Sequence, residues 1–146
     1  MDAWTAFSLP VVENLLPTDV KSFHAAWVGA NPDRAGRLAA LVQETARLYR
    51  QAVAAHPDNT LPADETLIPV TGFRHAVNML VFNLTMEMGA QVTPEVYTLV
   101  VRADIWLRLV QQGRILPDPA AMDPGWPSYA RPGDREQRPD AVAGAV

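Results

Sequence analysis

The prolines divide this chain before any other feature does. A proline inside a helix removes a backbone donor and clashes with the preceding turn, so helices must fit between prolines. Pro10 and Pro17 interrupt the first segment. Pro32 opens a second that closes at Pro57, and Pro69 opens a third. Pro94 stands at the head of a fourth. Six of the thirteen prolines come after Leu116, at Pro117, Pro119, Pro124, Pro127, Pro132 and Pro139. That last stretch cannot stay helical for long and reads as an extended tail.

Between the prolines, apolar residues recur at helical spacing. A short helix is predicted after Thr18, whose hydroxyl suits a cap and whose neighbour Asp19 suits the positive end of the helix dipole. It should stop near Gly29. Asn31-Pro32-Asp33 is a stronger start signal, with a capping side chain, proline at the first helical position and then an acid. The helix it opens should run to about Ala55, with Ala35, Leu38, Ala39, Val42, Ala46, Tyr49 and Val53 on one stripe. Residues 56–68 read as a loop. A third helix, from about Pro69 to Met88, is apolar on nearly every side and is expected at the centre. Thr93-Pro94-Glu95 repeats the start signal for a fourth, which should run to about Gln112 on a core stripe of Val96, Leu99, Val100, Ala103, Leu107 and Val110.

The fold class that follows is all-α: a small bundle of about four helices over residues 18–115. An extended N-terminal arm (1–17) precedes it and the proline-rich tail (116–146) follows. The arm has apolar handles at Leu9, Val11, Val12, Leu15 and Leu16, and is expected to lie across the domain or across a neighbour. At 146 residues and 49% apolar, one domain can bury a real core.

Composition narrows function mainly by exclusion. A net charge of −4 carries no broad basic footprint for nucleic acid. The absence of cysteine removes disulfides and thiolate metal sites. No segment has the length and apolarity of a membrane span, and the start lacks the basic region of a secretory signal, so the chain is expected in solution inside a cell or in a particle assembled there. No phosphate-cradling glycine loop and no nucleophile elbow is present. His24, His56 and His75 lack the spacing of a helical zinc site. No catalytic, cofactor-binding or metal-binding residue is expected. Glu87 reads as a solvated or hydrogen-bonded helix end. Arg34 and Arg37, with Arg47 and Arg50, read first as a solvated face. Val101, Ile105 and Leu109 form a second apolar line behind the core stripe of the last helix, to be covered either by the arm or by a neighbouring subunit.

The order of parts resembles a known family. An apolar arm leads to a short helix after PTDV (17–20). The long helix RLAALVQETARLYRQAVAA (37–55) precedes the loop HPDNTLPADETLIP (56–69). FRHAVNMLVFNLTMEMG (73–89) is followed by TPEVYTLVVRADIWLRLVQQGRILPDP (93–119). Over about residues 15–119 this is similar to the head–tail connector (adaptor, or head-completion) proteins of tailed double-stranded DNA phages and related prophage particles. The arm is longer than the family pattern.

The resemblance implies a homo-oligomeric ring, commonly of twelve subunits, in the neck of the virion and assembled in the host cytoplasm. Such a ring sits between the portal protein and a stopper or tail-completion protein, and DNA passes through it without sequence-specific binding. Carried onto this chain, the tail becomes a portal-docking arm anchored by Trp126 and Tyr129, with Ile115 and Leu116 at its root. Val101, Ile105 and Leu109 become subunit contacts, and Arg34 and Arg37 candidate contacts to the DNA channel. No cofactor and no membrane are implied. Two readings from the residues alone stand beside it: a helical protein-interaction module or accessory subunit, and a small helical enzyme with a site assembled from His24, His75 and Glu87.

Overall fold

A computed structural model describes residues 3–57 and 59–113. They are mostly helical. The first segment is strand β1 (Trp4–Ala6) followed by a one-turn helix α1 (Leu9–Glu13). The long elements are α2 (Thr18–Ala30), α3 (Arg37–Ala54), α4 (Phe73–Glu87) and α5 (Pro94–Gln111). A second strand, β2 (Leu67–Pro69), lies between α3 and α4.

The expected N-terminal arm is corrected here. It is a strand and a helix, and it lies across the domain. β1 pairs antiparallel with β2, Thr5 opposite Ile68. The ladder continues at both ends: the Phe7 amide donates to the Thr66 carbonyl (2.8 Å) and the Val70 amide to that of Ala3 (2.9 Å). Pro10 sits in the first turn of α1, where a missing amide is harmless. Phe7, Val12 and Leu16 from this segment join the core. The reading of 56–68 as loop misses β2 for the same reason: neither strand exists without the other.

The start of α3 also differs from the sequence expectation. The Asn31 side chain does accept from the Asp33 amide (3.1 Å), but the turn it caps is a 3-10 helix over Pro32–Arg34. Gly36 then precedes the true first turn of α3 at Arg37. α2 likewise lacks the expected cap. Thr18 is already inside the helix, and no side chain caps it. α4 begins later than predicted, because Pro69 closes β2 and Val70–Gly72 form a 3-10 turn.

The other boundaries follow their local chemistry. Gly89 takes φ +71° after α4, with its amide on the Met86 carbonyl (3.1 Å) and that of Ala90 on Thr85 (3.0 Å). That double closure needs a residue free of Cβ crowding. The Thr93 hydroxyl accepts from the Val96 amide (3.2 Å) at the start of α5.

The core lies between α3, α4 and α5. α3 packs on α4, α5, β2 and α1, and α4 packs most extensively on α5, so the centre is shared among α3, α4 and α5. Tyr49, Val53, Leu80, Leu84 and Val110 are fully enclosed. The buried hydroxyls of Thr45 and Thr85 donate to the carbonyls of Leu41 (2.8 Å) and Val81 (2.7 Å), so neither is left unpaired. Among the described residues no helix is long and apolar enough to cross a membrane.

Candidate functional surfaces

Among the described residues, α5 carries an exposed apolar line. Its buried side is Ala103, Trp106, Leu107 and Val110. Val96 and Val100 are half-buried, and Leu99, expected in the core, is exposed at 38%. On the opposite side Val101 and Ile105 remain 40% and 50% exposed, while Leu109 is half-buried. The N-terminal segment does not cover this line. Tyr97, one turn earlier at the same spacing, extends it and is 59% exposed. Sequence reasoning missed Tyr97 although it stands four residues before Val101. It also missed Trp106, which falls on the core stripe three residues after Ala103.

Further exposed apolar residues lie on α2 and on the turn that precedes it. No residue of α2 is buried. Val20 and Trp27 pack partly against the core, and Phe23 is exposed at 46%. Leu15, just before α2, is exposed at 48%.

Three of the four arginines singled out in the sequence, Arg34, Arg37 and Arg50, are engaged within the chain. The Arg34 guanidinium lies 4.7 Å from the Trp27 ring centre, and its Nη1 donates to the Trp27 carbonyl (3.0 Å). Arg37 grips Glu87 with two hydrogen bonds, Nε to Oε2 at 2.6 Å and Nη2 to Oε1 at 2.8 Å. This fork ties the start of α3 to the end of α4 and holds the Glu87 carboxyl below its ordinary range. Glu87 is thus the hydrogen-bonded helix end that the sequence suggested. Arg50 points into the chain as well: its guanidinium donates to the carbonyls of Pro62, Asp64 and Leu67, pinning the loop that leads into β2.

The residues of the enzyme reading are not brought together. Glu87 is paired with Arg37. His75 stacks on Trp106 (5.8 Å between rings), and Tyr49 stacks on the same indole (5.7 Å). His24 lies against Trp27 within α2 (6.1 Å). Burial pushes the Tyr49 phenol up and the His75 imidazole down. Tyr49 Oη, His75 Nδ1 and His24 Nε2 are buried with no protein hydrogen-bond partner among the described residues. No group of three or more His, Asp or Glu placed to hold a metal ion occurs among those residues. Ile115, Leu116, Trp126 and Tyr129, the expected anchors of the tail, lie outside the described residues.

No protein-family model, no curated protein and no solved structure matches this chain.

Proposed function

We propose that the chain is a structural connector subunit of a tailed-phage or prophage particle, forming a ring between portal and tail around the DNA channel. The observation that carries this reading is the exposed line Tyr97, Val101 and Ile105 on α5, extending into Leu109. An apolar stripe of this kind on a helix otherwise well packed marks a protein contact. A second uncovered surface, at Leu15 and Phe23, lies on different elements. When two unlike patches of one chain meet, the contact is head-to-tail, and a head-to-tail contact whose rotation closes gives a ring. The tail, with Trp126 and Tyr129, suits the role of an arm that reaches the portal, because aromatic residues anchor interfaces at low entropic cost.

Native mass spectrometry and electron microscopy of the chain, alone and with the portal protein encoded beside it, test the proposal. The expected result is a ring, formed alone or on the portal. Replacing Val101 and Ile105 together by Asp should abolish it while helical content is retained. Deleting residues 117–146 should leave the fold intact and block particle assembly. A chain that stays monomeric and ignores the portal would overturn the reading.

A further inference from the structure

Along α3, Gln43, Arg47 and Gln51 recur at steps of four, as do Ala46, Arg50 and Ala54 beside them, and together they form one wall of a groove of about 490 Å³. Phe7 and the loop Leu61–Thr66 contribute the other side. The two arginines of the wall differ. Arg50 is consumed by the loop carbonyls and makes that side rigid. Arg47 is exposed and has no partner among the described residues. Glu65 is the acid among the lining residues, so the groove carries a surplus of positive charge.

The described chain leaves the fold beside this groove. Gly113 takes φ +71° and packs so closely on His56 that a Cβ there would stand 2.6 Å from the imidazole Cδ2. His56 follows two residues after Ala54, at the same end of α3. Residues 114–146 continue from that point. Their first part, 116–129, contains Asp118 and Asp123 and no Lys or Arg, together with Met122, Trp126 and Tyr129. Its four prolines restrict the backbone, which lowers the entropy lost when such a segment is held in place.

We propose that segment 116–129 docks into this groove of its own chain, with Trp126 inserted and the acids facing Arg47. The reach is adequate. Twelve residues lie between Gly113 and Trp126, a reach of up to about 40 Å for a proline-rich spacer, and the groove from Gln43 to Ala54 extends about 17 Å along α3. A connection that can span the groove raises the local concentration of the segment far above that of a separate chain, so even a weak contact is populated. The groove then acts as a latch, and any partner that takes the tail must first displace it. This holds whether or not the chain is a connector, since it concerns one chain alone.

The absence of cysteine makes a trapping experiment clean. The full chain carries Ser128→Cys with either Gln51→Cys in the groove or Arg102→Cys on the exposed side of α5. Both are oxidised mildly, and intramolecular disulfide is quantified in the monomer by mass spectrometry. The groove pair should close about tenfold faster than the control, as its higher effective concentration requires. Adding Arg47→Glu to the groove pair should slow closure about fivefold, the scale of a partly exposed charge pair, with circular dichroism unchanged. Equal rates for the two pairs would overturn the proposal. So would a groove cross-link found only between chains, which would put the tail of a second copy there.

Discussion

Helices α2 and α3 make an instructive pair. α2 carries two charged residues, Asp19 and Lys21, in thirteen; α3 carries four in eighteen. Yet α3 buries eight residues and α2 buries none. What separates them is arrangement and partners. The buried positions of α3 (Leu38, Leu41, Val42, Thr45, Ala46, Tyr49, Ala52, Val53) fall on a single face, and that face meets α4, α5, β2 and α1. The inward side of α2 is Val20, His24, Trp27 and Val28, all only half-covered, and its main neighbour is the turn that follows it. Apolar content creates a demand for burial, but only neighbouring elements can meet it. Among the described residues α2's demand is unmet, and in the proposed reading α2 belongs with the α5 stripe as a surface for other chains.

The sharpest way to break this comparison is to truncate one aromatic in each helix. Tyr49 is fully enclosed, and Tyr49→Ala should cost about 3–5 kcal/mol by chemical denaturation, the usual range for a large aromatic removed from a core. Phe23→Ala should change stability by less than about 0.5 kcal/mol, as exposed substitutions do, and should instead weaken association. A large loss at Phe23 would mean that α2 is packed after all. Next in size is Gly72→Ala. The added methyl carbon would stand 2.6 Å from Cη2 of Trp106, so the indole stacked on Tyr49 and His75 must shift. Overpacking of this kind costs about 1–3 kcal/mol, and a changed Trp emission should accompany it. A third, smaller contrast concerns caps. Thr93 accepts from the Val96 amide, so Thr93→Ala should cost about 1 kcal/mol. Thr18 caps nothing, so Thr18→Ala should lie within about 0.5 kcal/mol of no effect.

Those caps also mark how far the sequence could be read. α5 was legible because cap, proline, acid, periodicity and terminal glycine all agree within one local stretch. The start of α3 was not, although the Asn31 cap is real, because a cap signals a turn and does not say whether the turn continues past Gly36. β1 and β2 were invisible. Each is three residues long, too short for alternation to register, and their pairing joins positions more than sixty apart. The same distance problem hides the Arg37–Glu87 fork, fifty residues apart. Of the candidate surfaces, Val101 and Ile105 could be found because a second apolar line on one helix is a local pattern. The groove could not, since it needs the loop and Phe7 brought against α3.

The smallest predicted effect is a pH dependence confined to the packed half of the molecule. His75 on α4 stacks against Trp106, and burial holds its pKa below the ordinary value of 6.5. The sign follows from proton counting. As pH falls through 6.5 the unfolded chain takes up a proton at this residue while the folded chain does not, so stability declines. Below the folded pKa both states are protonated and the loss levels off. His75→Phe should therefore flatten the stability profile just below 6.5 while keeping the stack on Trp106. Glu87 acts in a separate, more acidic window. Its carboxyl is held below 4.5 by Arg37, so its contribution is present above that value and disappears as pH falls through the folded pKa. Arg37→Ala should erase that acid limb and leave the histidine limb untouched. Denaturation midpoints measured across both windows for the two variants decide the matter. If His75→Phe keeps the full decline below 6.5, the acid sensitivity belongs elsewhere, and the indole stack is purely a packing device.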